Sequence, residues 1–414
     1  MITRPDPQAP RTAQASPLLV LVLTLLMVVQ PIATDLYLPA LPLLKAHFHA
    51  SFATAQLSLS VLMICFGLSQ LAWGPLSDRL GRRPILLAGL SLYTAGAVVS
   101  ALAPTLVVLL AARAVQGVGL AAATVCFRAM VRDLFEPRQG AFVLSKAMSA
   151  LAPIAVCVPI AGGILAATVG WRGALLATAL VGGGTLALIA LRVGETAPQP
   201  TGPLKSVGQE LRIYGKVGRN RTFLSWTALI SAGYATMLGF FSGAPFVYVD
   251  QFGYSRPVFG MFLGSASIAF WLGTVYCRRW IVLMGLRGAA RRAGLFTLAS
   301  CLMFLLPALA GVHNAWTLTA ALWLHLFAYG IHQPCGQAGL PGPFPEHAGA
   351  ASALAGCLLA CAAFASTAWI GVSFDGTARS LAFIGAGLTG LCAVLALTLV
   401  QRFGEPHLVP LQGG

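Results

Sequence analysis

The chain has 414 residues, 57% of them hydrophobic and 9% charged, with a mean hydropathy of +0.82. A soluble domain carries about 25% charged residues, so this composition excludes a water-soluble globule and requires a bilayer. The formal charge of +15 then reflects where a few basic residues sit against anionic lipid, and no nucleic acid is needed to account for it.

A helix crossing hydrocarbon ~30 Å thick needs roughly 20 apolar residues. Twelve stretches supply them, at 18–43, 55–77, 84–103, 105–128, 142–166, 171–192, 222–245, 257–278, 292–311, 316–340, 347–372 and 380–401. The first follows Arg4 and Arg11 as in a secretory signal, but its apolar run from Leu18 is too long for a signal core and eleven further spans come after it. Alternating strand patterns are absent, which excludes a β-barrel. The expected fold class is an all-α integral membrane protein of twelve transmembrane helices in two six-helix bundles, residues 1–192 and 222–414. Residues 193–221, which hold Pro198, Pro200 and Pro203, are the expected cytoplasmic linker. A faint repeat relates the halves, with Gly273, Arg278 and Arg279 closing helix 8 as Gly74 and Arg79 close helix 2.

Short cytoplasmic loops retain Lys and Arg, and translocated loops shed them. Twenty-one of the 26 basic residues fall in the two tails and the loops on the same side as the amino terminus. The opposite side holds four, Lys45, Arg172, Arg256 and Arg379. A multi-pass protein of the bacterial inner membrane with both termini in the cytoplasm is therefore expected.

An ionisable group in the membrane interior costs at least ~2.5 kcal/mol, so function is sought where charge is buried. Of the 11 acids, Asp35 alone falls well inside a span, and of the bases Arg113 alone does so. Both are expected roughly 8–12 Å below the outer surface, in helices 1 and 4. At matching depth they can form a static ion pair that fixes packing, or a switch in which Asp35 exchanges its partner for a proton. Gln116, one turn from Arg113, can orient either group.

Several motifs add a resemblance. Gly74-Pro75-Leu76-Ser77-Asp78-Arg79-Leu80-Gly81-Arg82-Arg83 has the spacing G-x-x-x-D-R-x-G-R-R. This resembles the loop between helices 2 and 3 of the major facilitator superfamily, which the resemblance makes a latch on the outward-facing state. Arg113, Gln116, Gly117 and Gly119 form R-x-x-Q-G-x-G, which looks like the helix 4 motif of proton-coupled facilitators. Asp35-Leu36-Tyr37-Leu38-Pro39-Ala40-Leu41-Pro42 is similar to the helix 1 motif of the Bcr/CflA type of drug:proton antiporter. Ser242-Gly243-Ala244-Pro245-Phe246-Val247 and the segment from Ala348 to Leu354 resemble further motifs of that branch. On helix 5, Pro153, Pro159, Gly162 and Gly163 match part of the antiporter motif, with Ile154 and Val158 in place of two glycines. The resemblance implies alternating access, with Asp35 and Arg113 coupling proton flow to export of chloramphenicol-like or bicyclomycin-like compounds.

Substrate contacts are expected from Tyr37, Gln116, Tyr234, Phe240, Phe241, Tyr329, His332 and Gln333, since aromatic walls with few polar groups suit a lipophilic cargo. His325 and His332 share a helix face and are expected as a hydrogen-bonded interior pair, with a second titrating site as the alternative. Nine cysteines lie singly along the spans and imply neither a disulfide nor zinc. No metal or cofactor is expected, the proton gradient being the driving force, and a monomer suffices. The partners are protons, a small lipophilic substrate and membrane lipid. A facilitator of a normal metabolite, such as a nucleoside, sugar or amino acid derivative, remains the alternative. An enzyme is not expected, because no H-E-x-x-H, G-x-S-x-G or phosphate loop occurs.

Overall fold

Backbone amides in hydrocarbon must be satisfied within their own segment, and helices do this without edges. The computed structural model describes residues 17–135, 137–197 and 207–405, and among these every extended element is a helix. The amino-terminal tail with Arg4 and Arg11, and the linker prolines Pro198, Pro200 and Pro203, lie outside the described residues.

The first pass is α1 (Pro17–Asp35), a short 3-10 turn (Leu38–Ala40) and α2 (Leu41–His47). It is followed by α3 (Phe52–Leu80), α4 (Arg82–Leu102), α5 (Leu106–Leu134), α6 (Pro137–Thr168) and α7 (Trp171–Arg192). A short helix α8 (Val207–Gly218) occupies the described part of the linker. The second half comprises α9 (Arg221–Pro245), a π-helical turn (Phe246–Gln251), α10 (Arg256–Leu309), α11 (Ala315–Gly339), α12 (Ala348–Ser373), α13 (Ala378–Leu397) and α14 (Leu399–Phe403). Nine helices among the described residues are long and apolar enough to cross a membrane. With α10 counted as two passes, and with α6 and α11 interleaved between these, they make the expected twelve.

The division of α10 is physical. Its 54 residues are continuous except at Gly285, where φ is 70° and ψ −178°. Sixteen residues of straight helix would hold Trp280 and Phe296 about 24 Å apart, yet their rings stack at 6.0 Å. The chain therefore folds back sharply at Gly285, and the loop expected over 279–291 is instead helix almost to the turn. Gly81, at φ 96° between α3 and α4, makes the corresponding break in the first half. The pairing of Gly273 with Gly74 is thereby corrected: Gly285 is the counterpart of Gly81. Arg287 donates to the Gln401 carbonyl, as Arg83 Nη2 donates to the Ala190 carbonyl at 2.9 Å.

Helices α1 to α7 pack among themselves, as do α9 to α13, and the two sets meet along two antiparallel seams. In the first, Phe52 of α3 faces Phe374 at 4.8 Å, Ser60 bonds Thr367 at 2.7 Å, and a Cβ on Gly67 would come 2.3 Å from Ala360 Cβ. In the second, a Cβ on Gly163 of α6 would meet the Arg256 carbonyl at 2.4 Å, and Ser267 Oγ donates to the Ala155 carbonyl at 3.0 Å. Small residues allow such approach because van der Waals contact, not hydrophobic burial, joins helices in lipid.

Within the second half, a Cβ on Gly330 would lie 2.2 Å from the Phe270 carbonyl oxygen, where α11 crosses α10. Gly330→Ala is expected to destabilise the protein by roughly 1–3 kcal/mol through overpacking. Gly184→Ala, which meets nothing within 4 Å, should be neutral or slightly stabilising. Thermal unfolding of the two variants in detergent checks the contrast.

Candidate functional site

Proline cannot donate a backbone hydrogen bond, and its ring crowds the carbonyl four residues earlier. For Pro39 that residue is Asp35, and α1 ends there. The first span is thus broken at its acid rather than continuous over 18–43. At the break Tyr37 N bonds the Thr34 carbonyl at 3.2 Å, so the Ala33 carbonyl has lost its usual partner in the helix ladder. Arg113 Nη2 takes it at 3.1 Å.

Arg113 is fully buried, and its fork is occupied. Nε donates to the Ser58 carbonyl at 3.2 Å and Nη1 to Gln116 Oε1 at 2.8 Å, while the guanidinium lies 4.6 Å from the centre of the Tyr37 ring. Tyr37 is held in turn by Ser58 Oγ at 2.9 Å. The expected Asp35–Arg113 ion pair is not formed. The helix break presents a carbonyl to the guanidinium instead of the carboxylate, and among the described residues no basic side chain lies within ion-pair distance of Asp35.

Asp35 is half-buried and accepts from Thr34 Oγ1 at 2.8 Å. It lies within electrostatic reach of the Tyr234 phenol, which accepts from Gln30 Nε2 at 3.1 Å. The structure thus brings Asp35, Tyr234 and Gln30 together where α1 faces α9. Tyr37 and Gln116 belong to the Arg113 cluster beside them.

Other expected contacts are distributed differently. Phe240 packs on Phe304 at 5.6 Å, inside the second half, and Phe241 is buried in the same apolar cluster. His325 Nε2 bonds the Gly233 carbonyl at 3.1 Å and His332 Nε2 bonds Thr297 Oγ1 at 3.1 Å, so the two histidines serve different helices and do not pair with each other. Tyr329 is buried with its hydroxyl unbonded, and Gln333 is half-buried. Pro153 is exposed, Pro159 is buried, and a Cβ on Gly162 would lie 2.3 Å from the Leu36 carbonyl. The helix 5 glycines are therefore contact points, Gly162 for the broken first pass and Gly163 for the start of α10.

The basic turn binds four helix ends together. Arg82 bonds Asp78 at 2.6 Å and Asp133 at 2.8 Å. The Asp78 side chain is 60% exposed and that of Asp133 only 6%, so Asp133 is the stronger partner, because exposed pairs contribute ~0–1 kcal/mol. Glu195 Oε1 and Oε2 accept from Arg82 N and Arg83 N at 2.8 and 3.2 Å, capping α4. Gly81 is needed twice: its φ is positive, and a Cβ would meet Glu195. Arg79 lies in the last turn of α3. A Cβ on Gly74 would meet nothing within 4 Å, so Gly74 does not serve close helix approach. It opens instead on a cavity of about 310 Å³ shared with Asp78, Arg128, Glu210, Tyr214 and Ser352. Arg128 Nη1 reaches the Ser352 carbonyl at 3.4 Å, tying the two halves at this end, and Tyr214 Oη of α8 reaches the Leu71 carbonyl at 3.4 Å, tying the linker to the first half. Burial and then the charges of Glu210 and Asp78 push the Tyr214 phenol up to about 12, so it stays a donor.

Asp133, Glu195, Ser58 and Gln30 are the functional contacts that sequence reasoning missed. Asp133 and Glu195 were legible as acids at helix ends, whereas Ser58 and Gln30 carry no signal of their own.

A twelve-pass helical bundle with a carboxylate at a helix break, among the described residues without a basic partner, and a basic turn at one end has the architecture of a membrane transporter. The chain belongs to the Major Facilitator Superfamily, whose family model matches residues 23–368. It is therefore a multi-pass transporter and not an enzyme. It is 32% identical over 266 residues, 63% of this chain and 66% of its relative, to the uncharacterised MFS-type transporter YdgK of Bacillus subtilis. It is 28% identical over 346 residues, 82% of this chain and 85% of the relative, to multidrug resistance protein D of Escherichia coli. It is 28% identical over 294 residues, 70% of this chain and 68% of the relative, to a chloramphenicol resistance protein of Pseudomonas aeruginosa. In fold it resembles the human organic anion transporter MFSD10, with a TM-score of 0.69 at 21% identity, covering 94% of this chain and all of that one.

Asp133→Asn would leave the buried Arg82 with the exposed Asp78 and the Ser77 hydroxyl. The expected loss is about 3 kcal/mol, read as a lowered unfolding temperature in detergent, whereas Asp78→Asn should cost less than ~1 kcal/mol.

Proposed function

We propose that this chain is a proton-coupled antiporter of the bacterial inner membrane, with both termini cytoplasmic, that exports small amphiphilic compounds of the chloramphenicol or bicyclomycin type. The observation that carries the reading is Asp35: a half-buried carboxylate at the junction of the two halves, with no cation beside it among the described residues. A buried charge without a partner is costly, so Asp35 gains by binding a proton or the positive end of a cargo. The two then compete for one group. Tyr234, with its phenol near Asp35, offers an aromatic face to either kind of cargo.

Alternating access supplies the direction. At the end remote from the basic latch, Phe52 packs on Phe246 at 4.7 Å and on Phe374 at 4.8 Å, with Lys45 5.7 Å from the Phe246 ring centre. These contacts join the two halves and seal that end, while the cavity beside Gly74 and Arg128 lies at the other. The arrangement suits a state closed to the outside. Protonation of Asp35 from the outside would neutralise it and lower the cost of enclosing it, and release inside would leave it free for cargo. Each charge moved through 100 mV supplies about 2.3 kcal/mol, and each pH unit about 1.4 kcal/mol. Arg113, spent on carbonyls and the Tyr37 ring, acts as a brace for the broken helix rather than as the counter-ion. The printed names of the relatives, a multidrug resistance protein and a chloramphenicol resistance protein, agree with this cargo.

Inside-out vesicles carrying the protein, given an imposed pH gradient and chloramphenicol, test the reading. The wild type should accumulate drug and dissipate the gradient, and Asp35→Asn should lose at least ~10-fold of the accumulation. Equal activity of the two would remove Asp35 from coupling. Proton flux driven by a metabolite but not by drug would assign the chain to metabolite transport.

A further inference from the structure

The close crossing of α10 and α11 places two thiols together. A Cβ on Gly273 would lie 2.1 Å from the Phe327 carbonyl, and one on Gly330 would lie 2.2 Å from the Phe270 carbonyl, so the two backbones touch. One turn further along α10 is Cys277, and five residues further along α11 is Cys335. Their sulfurs are 3.8 Å apart, both side chains are at most 1% exposed, and Cys277 Sγ also lies 3.6 Å from the Ile331 carbonyl. Both belong to an apolar cluster with Ala328 and Ile331, against which Trp280 packs. The next residue, Arg278, is within electrostatic reach and would offset negative charge on the sulfurs.

We propose that Cys277 and Cys335 form a chelating dithiol that binds a soft, two-coordinate cation, copper(I) being the natural member of the class. Thiolate sulfur selects soft ions. Among the described residues no group of three or more His, Cys, Asp or Glu comes together, which disfavours zinc, an ion that takes four ligands in structural sites. Two metal–sulfur bonds of roughly 2.3 Å span at most ~4.6 Å, so the observed separation needs only a small side-chain rotation. On binding, two S–H bonds break, two metal–sulfur bonds form and two protons leave, with no change of oxidation state. The helix crossing has already fixed the geometry, so little ordering entropy remains to be lost. The site is independent of Asp35 and of the cargo reading.

Full-length protein in detergent, titrated with copper(I) against a chromophoric chelator, provides the test. The wild type should retain one equivalent more than Cys277→Ser, and Cys335→Ser should lose that same equivalent. The double variant should lose no more than either single one, which is the mark of a shared ion. Unchanged stoichiometry in the single variants, or losses that add in the double variant, overturns the site. If a serine variant fails to elute as a monodisperse species, Cys277→Ala and Cys335→Ala give the same comparison without a buried hydroxyl.

Discussion

Pro39 and the carbonyl it displaces govern the centre of the molecule. A proline four residues after Asp35 ends α1 at the acid, and the interrupted ladder leaves the Ala33 carbonyl for Arg113. The guanidinium is then committed to backbone oxygens, to Gln116 and to the face of Tyr37. Asp35 is left at the end of a helix with one hydroxyl donor, Thr34. A broken helix in lipid persists where neighbouring side chains satisfy the freed backbone groups, and Arg113 does so here. The cost of burying an arginine and the cost of breaking a helix offset each other, and the acid at the break is left without the arginine as its partner.

Around this centre the two halves make contact through small residues and aromatic rings. The α3–α12 and α6–α10 seams run antiparallel and bring carbonyls within reach of glycine positions. Contacts of this kind are short in range, so a small rotation of one half against the other breaks many of them together. At one end the halves are joined by the rings of Phe52, Phe246 and Phe374. At the other they are joined by a long hydrogen bond from Arg128 to the Ser352 carbonyl, beside an open cavity, and Tyr214 ties the linker helix to the first half. A packed aromatic contact at one end thus contrasts with a weak polar tie at the other.

The basic turn gains its strength from a residue outside its motif. Asp78 is the acid of the signature, yet it is mostly exposed, and the buried partner of Arg82 is Asp133 at the end of α5. Glu195, beyond α7, caps α4. The turn therefore gathers the ends of α3, α4, α5 and α7 in one network. The second half repeats the geometry at Gly285 without the acid: Arg287 bonds Gln401 and pairs with the exposed Glu405. Exposed pairs contribute little, so the first half carries the firmer tie.

The twelve spans, their order and the identity of the buried acid and base follow from the sequence, because hydropathy and the cost of intramembrane charge act residue by residue and need no partner to be read. The turn at Gly81 was legible for the same reason, being local. Whether Asp35 meets Arg113 was not legible. It depends on a helix break that redirects one carbonyl, and matching depth in two helices does not fix rotation about their axes. The roles of Asp133 and Glu195, the separation of His325 from His332, the counterpart of Gly81 at Gly285 and the meeting of Cys277 with Cys335 are likewise matters of which faces cross. Only the tertiary structure decided them, since side-chain contacts between helices distant in sequence are set by packing angles that no local pattern encodes.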